Sequence, residues 1–456
     1  MKTILTSVLV GSLLTTLAQA QQPSRGFGRR GFVHNVEPQT AQTPTPVIPN
    51  LLAIAQPAPR YTITDLGVFG TGNNSAGYGI NNAGWVTGCS NLVDNGPQHP
   101  FIWYGFGPLI DLGTLEGGPR GCADGPNAFG EAAVIATTSN PAFMNEDFCG
   151  NGTHLQCLAA VWKNGRLTAL PTLPGGNNSQ TYWLNNLGQV VGFSENGTSD
   201  PTCATTSSSP LAGTPYQVLR FEGVIWGPNQ EIQGDLPPLT NEGDTVSWAW
   251  GINDNGQAVG SSGLCSNTSI VGPVGPTAPH AVLWDSDGTP TDLGHLPGTP
   301  AGVYNVATSI NNRGEVVGFA CAGPDTNPVT CIEHGFLWTR ETGMQDLGIF
   351  PGTIATGAPC CNTINNNGEI VGFSIDANGN MRALVWQGKM PVDLNTLIPA
   401  DSPWYLTGSE SLNDSGQITG TAIVKSACSG GLAGQAWLTN QGACPVSHVF
   451  VATPIG

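Results

Sequence analysis

The sequence predicts an all-β protein, a seven-bladed β-propeller, from three marks that recur in one order between residues 61 and 456. The first is a turn motif: an aliphatic residue, Asn, two variable residues, Gly and a short aliphatic run. The second is an Asp-Leu pair ahead of the Asn, and the third a tryptophan closing an apolar run behind it. Gly enters positive φ freely and Asn bonds its own backbone, so the motif suits a tight turn between strands. Runs such as Glu315-Val316-Val317-Gly318 and Phe336-Leu337-Trp338 have strand length and composition. With 63 Gly and 36 Pro, little of the body is expected to be helical.

The turn motif stands at Ile80-Asn81 with Gly84, weakly at Asn127 with Gly130, and at Leu184-Asn185 with Gly188. It returns at Ile252-Asn253, Ile310-Asn311, Ile364-Asn365 and Leu412-Asn413, with Gly256, Gly314, Gly368 and Gly416. The Asp-Leu aspartates are Asp65, Asp111, Asp235, Asp292, Asp346 and Asp393, and the third module has Ala169-Leu170 instead. The tryptophans are Trp103, Trp162, Trp226, Trp284, Trp338, Trp386 and Trp437. Each module thus supplies four short strands: around Asp-Leu, before Asn, after Gly, and ending at Trp. A single such sheet cannot cover both of its faces, so neighbours must. Four-stranded antiparallel repeats of roughly 40–50 residues are the signature of propeller blades. A β-solenoid is the alternative, although its coils are usually shorter and more uniform.

Ahead of this body, Lys2, an apolar stretch over residues 4–17 and Ala18-Gln19-Ala20 predict a signal peptide, residues 1–20. Residues 21–60 are rich in Gln, Pro, Thr and Arg, which predicts a disordered linker before a propeller spanning 61–456. No later segment offers the ~18 unbroken apolar residues of a membrane helix. The expected destination is therefore extracellular or periplasmic. All twelve cysteines fall between Cys89 and Cys444, and an even number in an exported chain favours disulfides. No CxxC spacing is present, so no metal site is expected. Matching places in adjacent modules predict Cys89–Cys122 and Cys321–Cys360, while Cys149–Cys157 and Cys428–Cys444 would close local loops. From residue 61 onward nine basic side chains face thirty acidic ones. A body so acidic repels phosphate backbones, which argues against a nucleic-acid partner.

His280-Ala281-Val282-Leu283-Trp284 and His334-Gly335-Phe336-Leu337-Trp338, with Asp-Leu-Gly and Ile-Asn-x-x-Gly-x-Val-Val-Gly, carry a resemblance. Together with His99-Pro100-Phe101-Ile102-Trp103 they resemble the bacterial extracellular repeat family named for its His-Ala-Phe (HAF) motif. The resemblance covers nearly all of 61–440. Leu158, Glu222, Arg382 and Ala433 stand where the His would be in modules two, three, six and seven. It implies an exported, propeller-like protein and no particular activity.

The chemistry-bearing residues read mainly as structural. A repeated Asp is expected to accept backbone or Trp N–H bonds within its blade, and His99, His280 and His334 to bond a neighbouring turn. Asp376-Ala377-Asn378-Gly379-Asn380 lacks the acidic twelfth residue of a calcium loop, which here is Gln387, and reads as a hairpin turn. No nucleophile elbow, zinc helix or phosphate loop is evident, and no cofactor is expected. The loops between Asp-Leu and Asn carry aromatics that the repeat does not require: Tyr78, Tyr182, Trp183, Trp248, Trp250, Tyr304, Trp404 and Tyr405. Beside Asn177, Asn178 and Asn241 they are candidates for stacking on an extracellular polysaccharide or protein, packing between blades being the alternative. The leading function is a binding or scaffold module. A secreted propeller hydrolase or lyase acting on polysaccharide is the competing class, and fold alone does not decide.

Overall fold

A computed structural model describes residues 60–149, 152–203, 218–265, 278–324, 331–359, 362–428 and 444–455. The expected signal peptide and all of the expected linker but Arg60 lie outside the described residues.

The chain is a β-propeller. Its strands form five separate four-stranded sheets and one eight-stranded sheet. The latter is two four-stranded meanders joined by a single parallel pair, Glu333 with Ala355. Blade 1 comprises Ser75–Ile80, Val86–Asn91, Gln98–Trp103 and Ile110–Asp111 in that spatial order. Blades 2–6 repeat the order from inner strands Gly121–Pro126, Ser179–Leu184, Val246–Ile252, Asn305–Ile310 and Ala355–Gly357. The inner strands are buried along their whole length, whereas the outer Ile110–Asp111 is exposed.

Blade 7 draws on both ends of the chain. Trp404–Leu412, Ile418–Val424 and Ser447–Pro454 are completed by Tyr61–Gly67, the first strand of the body. Each Asp-Leu therefore forms the outer strand of one blade, and the turn after it leads into the next. Pairing the first strand of the body with its last joins them in one ladder, so the sheets close into a ring and do not stack as an open coil. The third strand of blade 7 also corrects an expectation. It carries His448-Val449-Phe450, so the His position is His448 and not Ala433, which with Trp437 lies outside the described residues.

The histidines bond the Asp-Leu aspartates of their own blade across the third and fourth strands. Nδ1 donates to the carboxylate in His99–Asp111 (3.0 Å), His334–Asp346 (2.9 Å) and His448–Asp65 (2.9 Å). Arg382 takes the His place toward Asp393 at 3.3 Å. Blade 2 lacks both partners, having Leu158 and Ala169. His280 turns instead to Asp244, at 2.8 Å. Trp226 and Trp284 are fully buried and donate to Pro171 O and Pro237 O, each reaching back to the preceding loop.

Disulfides join Cys89–Cys122, Cys149–Cys157 and Cys428–Cys444. Cys321 bonds Cys331, ten residues on, and not Cys360, which lies outside the described residues. Cys321 sits near the end of Val316–Ala322 and Cys331 just before Ile332–Thr339, so the loop between two paired strands brings them together locally. Cys203–Cys265 ties blade 3 to blade 4 and had no signal in the repeat. No helix among the described residues is long and apolar enough to cross a membrane.

Candidate functional site on the mouth face

The turn asparagines do more than close their own hairpins. In Asn253, Oδ1 accepts the N–H of Asn255 and Gln257, and Nδ2 donates to Gln257 Oε1 and to Asn311 O. The step to the next blade's carbonyl recurs from Asn81 to Asn127, Asn127 to Asn185, Asn185 to Asn253, Asn311 to Asn365 and Asn365 to Asn413. Asn413 then donates to Asn81 O, and the ring closes after seven steps. The following Gly takes φ between +75° and +82° at all seven turns, a region open to glycine at no steric cost. Every one of these asparagines is buried, so each bond is shielded from water.

A second ring lies one residue further on. The backbone N–H of Ala128 donates to Asn186 Oδ1, that of Asn186 to Asp254, that of Asp254 to Asn312, and that of Asn312 to Asn366. Asn366 continues to Asp414, and Asp414 to Asn82. Burial raises the Asp414 carboxyl, but bonds from the Asn366 backbone and side chain and from Asn82 outweigh it and hold the group below its ordinary value. Inside the rings lies a cavity of about 110 Å³ floored by Ile80, Pro126, Leu184, Ile252, Ile310, Ile364 and Leu412. That volume suits a few waters, and a typical ligand pocket is several times larger.

The repeat breaks in one sector. At the fourth position after Asn, blades 2–7 carry Glu131, Gln189, Gln257, Glu315, Glu369 and Gln417, each accepting from Asn Nδ2. Blade 1 has Trp85 there. At the first position, Ala128 replaces the Asn or Asp of every other blade. At the second, Asn255, Arg313 and Asn367 latch blades 4–6 to the next blade's backbone, whereas blades 2 and 3 present Phe129 and Leu187, 74% and 58% exposed. Trp85 and Tyr104 meet edge to face at 4.9 Å, and a Cβ on Gly130 would stand 3.1 Å from the Trp85 ring. That pair therefore lies against the turn that carries Phe129. The result is an apolar crescent over blades 1–3 opposite a rim of amides and carboxylates.

The aromatics expected on the loop face are placed differently. Tyr78, Tyr182, Trp183, Trp248, Trp250 and Tyr304 are buried, because the first five lie in inner strands and not in loops and Tyr304 immediately precedes one. A ladder irregularity skips Tyr78, Tyr182 and Trp250, and Tyr182 stacks on Trp250 at 4.1 Å between neighbouring inner strands. The Trp183 ring covers Gly125 so closely that a Cβ there would sit 2.0 Å from it. Trp404 and Tyr405 are half-buried on the inner strand of blade 7, Trp404 against His448. The six buried residues present no exposed stacking platform. Trp85 and Phe129, which sequence reasoning missed, had a signal: each breaks the repeat at a position that other blades fill with a polar residue.

One pair of carboxyls stands apart. Glu146 and Glu195 are fully buried and share Asn178, whose Nδ2 donates to Glu146 Oε2 at 2.8 Å and Glu195 Oε2 at 3.2 Å. Val218 N–H donates to Glu146 Oε1, and Asn177 and Asn178 N–H donate to Glu195. Burial first, and Glu195 second, push the Glu146 carboxyl up to about 9, and burial raises Glu195 as well. The pair ties blades 2 and 3 together through Asn178.

No protein-family model and no curated protein matches the chain. Among solved structures, the β-propeller domain of the trilobed protease from Pyrococcus furiosus is similar at 8% identity. That match covers 81% of this chain and 91% of that one, with a TM-score of 0.40. Aleuria aurantia lectin is similar at 9% identity over 73% of this chain and 94% of that one, TM-score 0.31. An acylaminoacyl peptidase matches at 8% identity over 78% of this chain, TM-score 0.43, and the match spans about half of the peptidase, 51%. These likenesses concern the propeller shape alone.

Proposed function

We propose that the chain is an exported binding module of the His-Ala-Phe repeat type that holds an extracellular glycan on the mouth face of blades 1–3. One observation carries the reading: the repeat is broken at neighbouring positions of one sector, and every break exchanges a structural polar group for apolar surface. The exposed Phe129 ring, with the half-buried Trp85 and Tyr104 nearby and a hydrogen-bonding rim, suits a sugar, whose C–H face stacks while its hydroxyls bond. Disulfides and the export-like N-terminus support an extracellular setting. The competing enzyme reading gains nothing from Glu146 and Glu195: a glycosidase pair flanks a cleft, and this pair is sealed by backbone N–H groups.

The test is a glycan-array screen of the secreted chain beside the double variant Phe129→Ser, Leu187→Ser. Both side chains are exposed, so the variant is expected to melt like the parent and to lose the glycans that the parent retains. Unchanged retention of every glycan would remove the mouth face from the binding surface.

A further inference from the structure

We infer that the ligand is an N-acetylated sugar whose acetamido carbonyl accepts the backbone N–H of Asn82. This rests on the mouth-face reading and adds the chemistry of what sits there. In six steps of the outer ring a backbone N–H finds a side-chain oxygen of the next blade at 2.8–2.9 Å. At the seventh step the next blade offers the methyl of Ala128, and the Asn82 N–H has no acceptor among the described residues. The ring leaves one donor open, beside the exposed Phe129.

Asn82 is exposed, so water reaches that donor, and its surroundings select which acceptor displaces the water. Asp254 and Asp414 stand in the same ring, on a chain of formal charge −17. Carboxylate, sulfate and phosphate acceptors are repelled there. A neutral hydroxyl satisfies the donor but leaves Phe129 and Leu187 wet. An acetamido group carries a carbonyl and a methyl on one carbon, so one substituent bonds Asn82 and covers apolar surface, while the pyranose C–H face lies on an aromatic ring. A peptide carbonyl is the other neutral acceptor.

The full secreted chain is titrated calorimetrically with tri-N-acetylchitotriose, cellotriose and N-acetyl-leucinamide. Two variants accompany it: Ala128→Asn, which supplies the missing oxygen, and Ala128→Gly, which leaves the gap open. The acetylated trisaccharide is expected to bind at least about tenfold more tightly than cellotriose. Ala128→Asn should weaken it about tenfold without lowering the melting temperature, and Ala128→Gly should retain it. Equal binding of cellotriose, unchanged binding by Ala128→Asn, or binding of the leucinamide alone overturns the inference. Sugar binding that survives Ala128→Asn but is lost in the Phe129/Leu187 double variant leaves the mouth face standing and removes only the acetamido contact. Absence of all sugar binding removes both.

Discussion

Replacing Asn253 by Ala tests whether the asparagine ring holds the propeller closed. The side chain is 3% exposed and makes four hydrogen bonds, with heavy-atom distances of 3.0 Å each. A net ~1 kcal/mol per bond gives about 4 kcal/mol, a large part of the stability typical of a folded domain. Three of those bonds hold the turn and one crosses to blade 4's neighbour, so the loss opens the turn and the inter-blade contact together. Asn253→Asp keeps the two bonds accepted by Oδ1 but sets a carboxylate oxygen against Asn311 O in a buried site, so a loss at least as large as that of Asn253→Ala is expected. Asn81→Ala should cost less than Asn253→Ala, about 3 kcal/mol, because Trp85 leaves Asn81 with three such bonds. Urea denaturation followed by tryptophan fluorescence measures all three. An Asn253→Ala variant within about 1 kcal/mol of the parent would show that the ring is not what closes the sheets.

Three further outcomes are expected. Glu146, with its carboxyl raised from 4.5 to about 9, contributes stability that is full below pH 4.5 and fades as pH rises through about 9. Glu146→Gln should therefore flatten the fall in melting temperature across that window, and an unaltered pH profile would contradict the raised Glu146 carboxyl. His280, raised above 6.5 chiefly by its bond to Asp244, contributes stability below pH 6.5 that is lost as pH climbs through its folded value. His280→Ala should thus cost more on the acid side than the alkaline side, read from chemical denaturation at both. Trp248→Ala, at a side chain 1% exposed and 6.2 Å from Phe221, should destabilise by about 3–5 kcal/mol, as core truncations do. A stable Trp248→Ala variant would return that residue to the binding candidates.

The repeat made the architecture readable before any coordinates, because a blade is built from local marks: Asn and Gly set the turn, and alternating apolar runs set the strands. What the residues of one module do to one another was also near the surface of the sequence, as with Cys149–Cys157. Relations between modules were harder. The Asp-Leu pair sits just ahead of each Asn in sequence, yet in space it belongs to the previous blade, so the aromatics between them look like loop residues and are inner strand. For Tyr182 and Trp250 the decisive fact is a bulge in the ladder, which no spacing announces. Cys321 failed for a similar reason: positional equivalence with Cys89 suggested a bridge between blades, and the nearer Cys331 closes the local loop first. His448 was hidden because the residues before it, 429–443, displace the last strand from the position that the period assigns.

The same repetition explains why the candidate site lies where it does. Seven equivalent turns must each satisfy a buried Asn and pass a bond to the next blade, so a polar residue at the fourth position and an acceptor at the first are demanded by closure itself. A chain that met those demands seven times would have a stable, uniform and fully satisfied mouth with nothing to offer a ligand. Trp85 and Ala128 forgo a bond each, on neighbouring blades, while the other turns keep theirs. The cost is roughly a hydrogen bond at each place, about 1 kcal/mol, which a ring held by the remaining bonds tolerates. Local departures from a structural rule that leave an exposed apolar surface and an open donor are therefore where recognition can be added without unmaking the fold, and the polar half of the mouth is where it cannot.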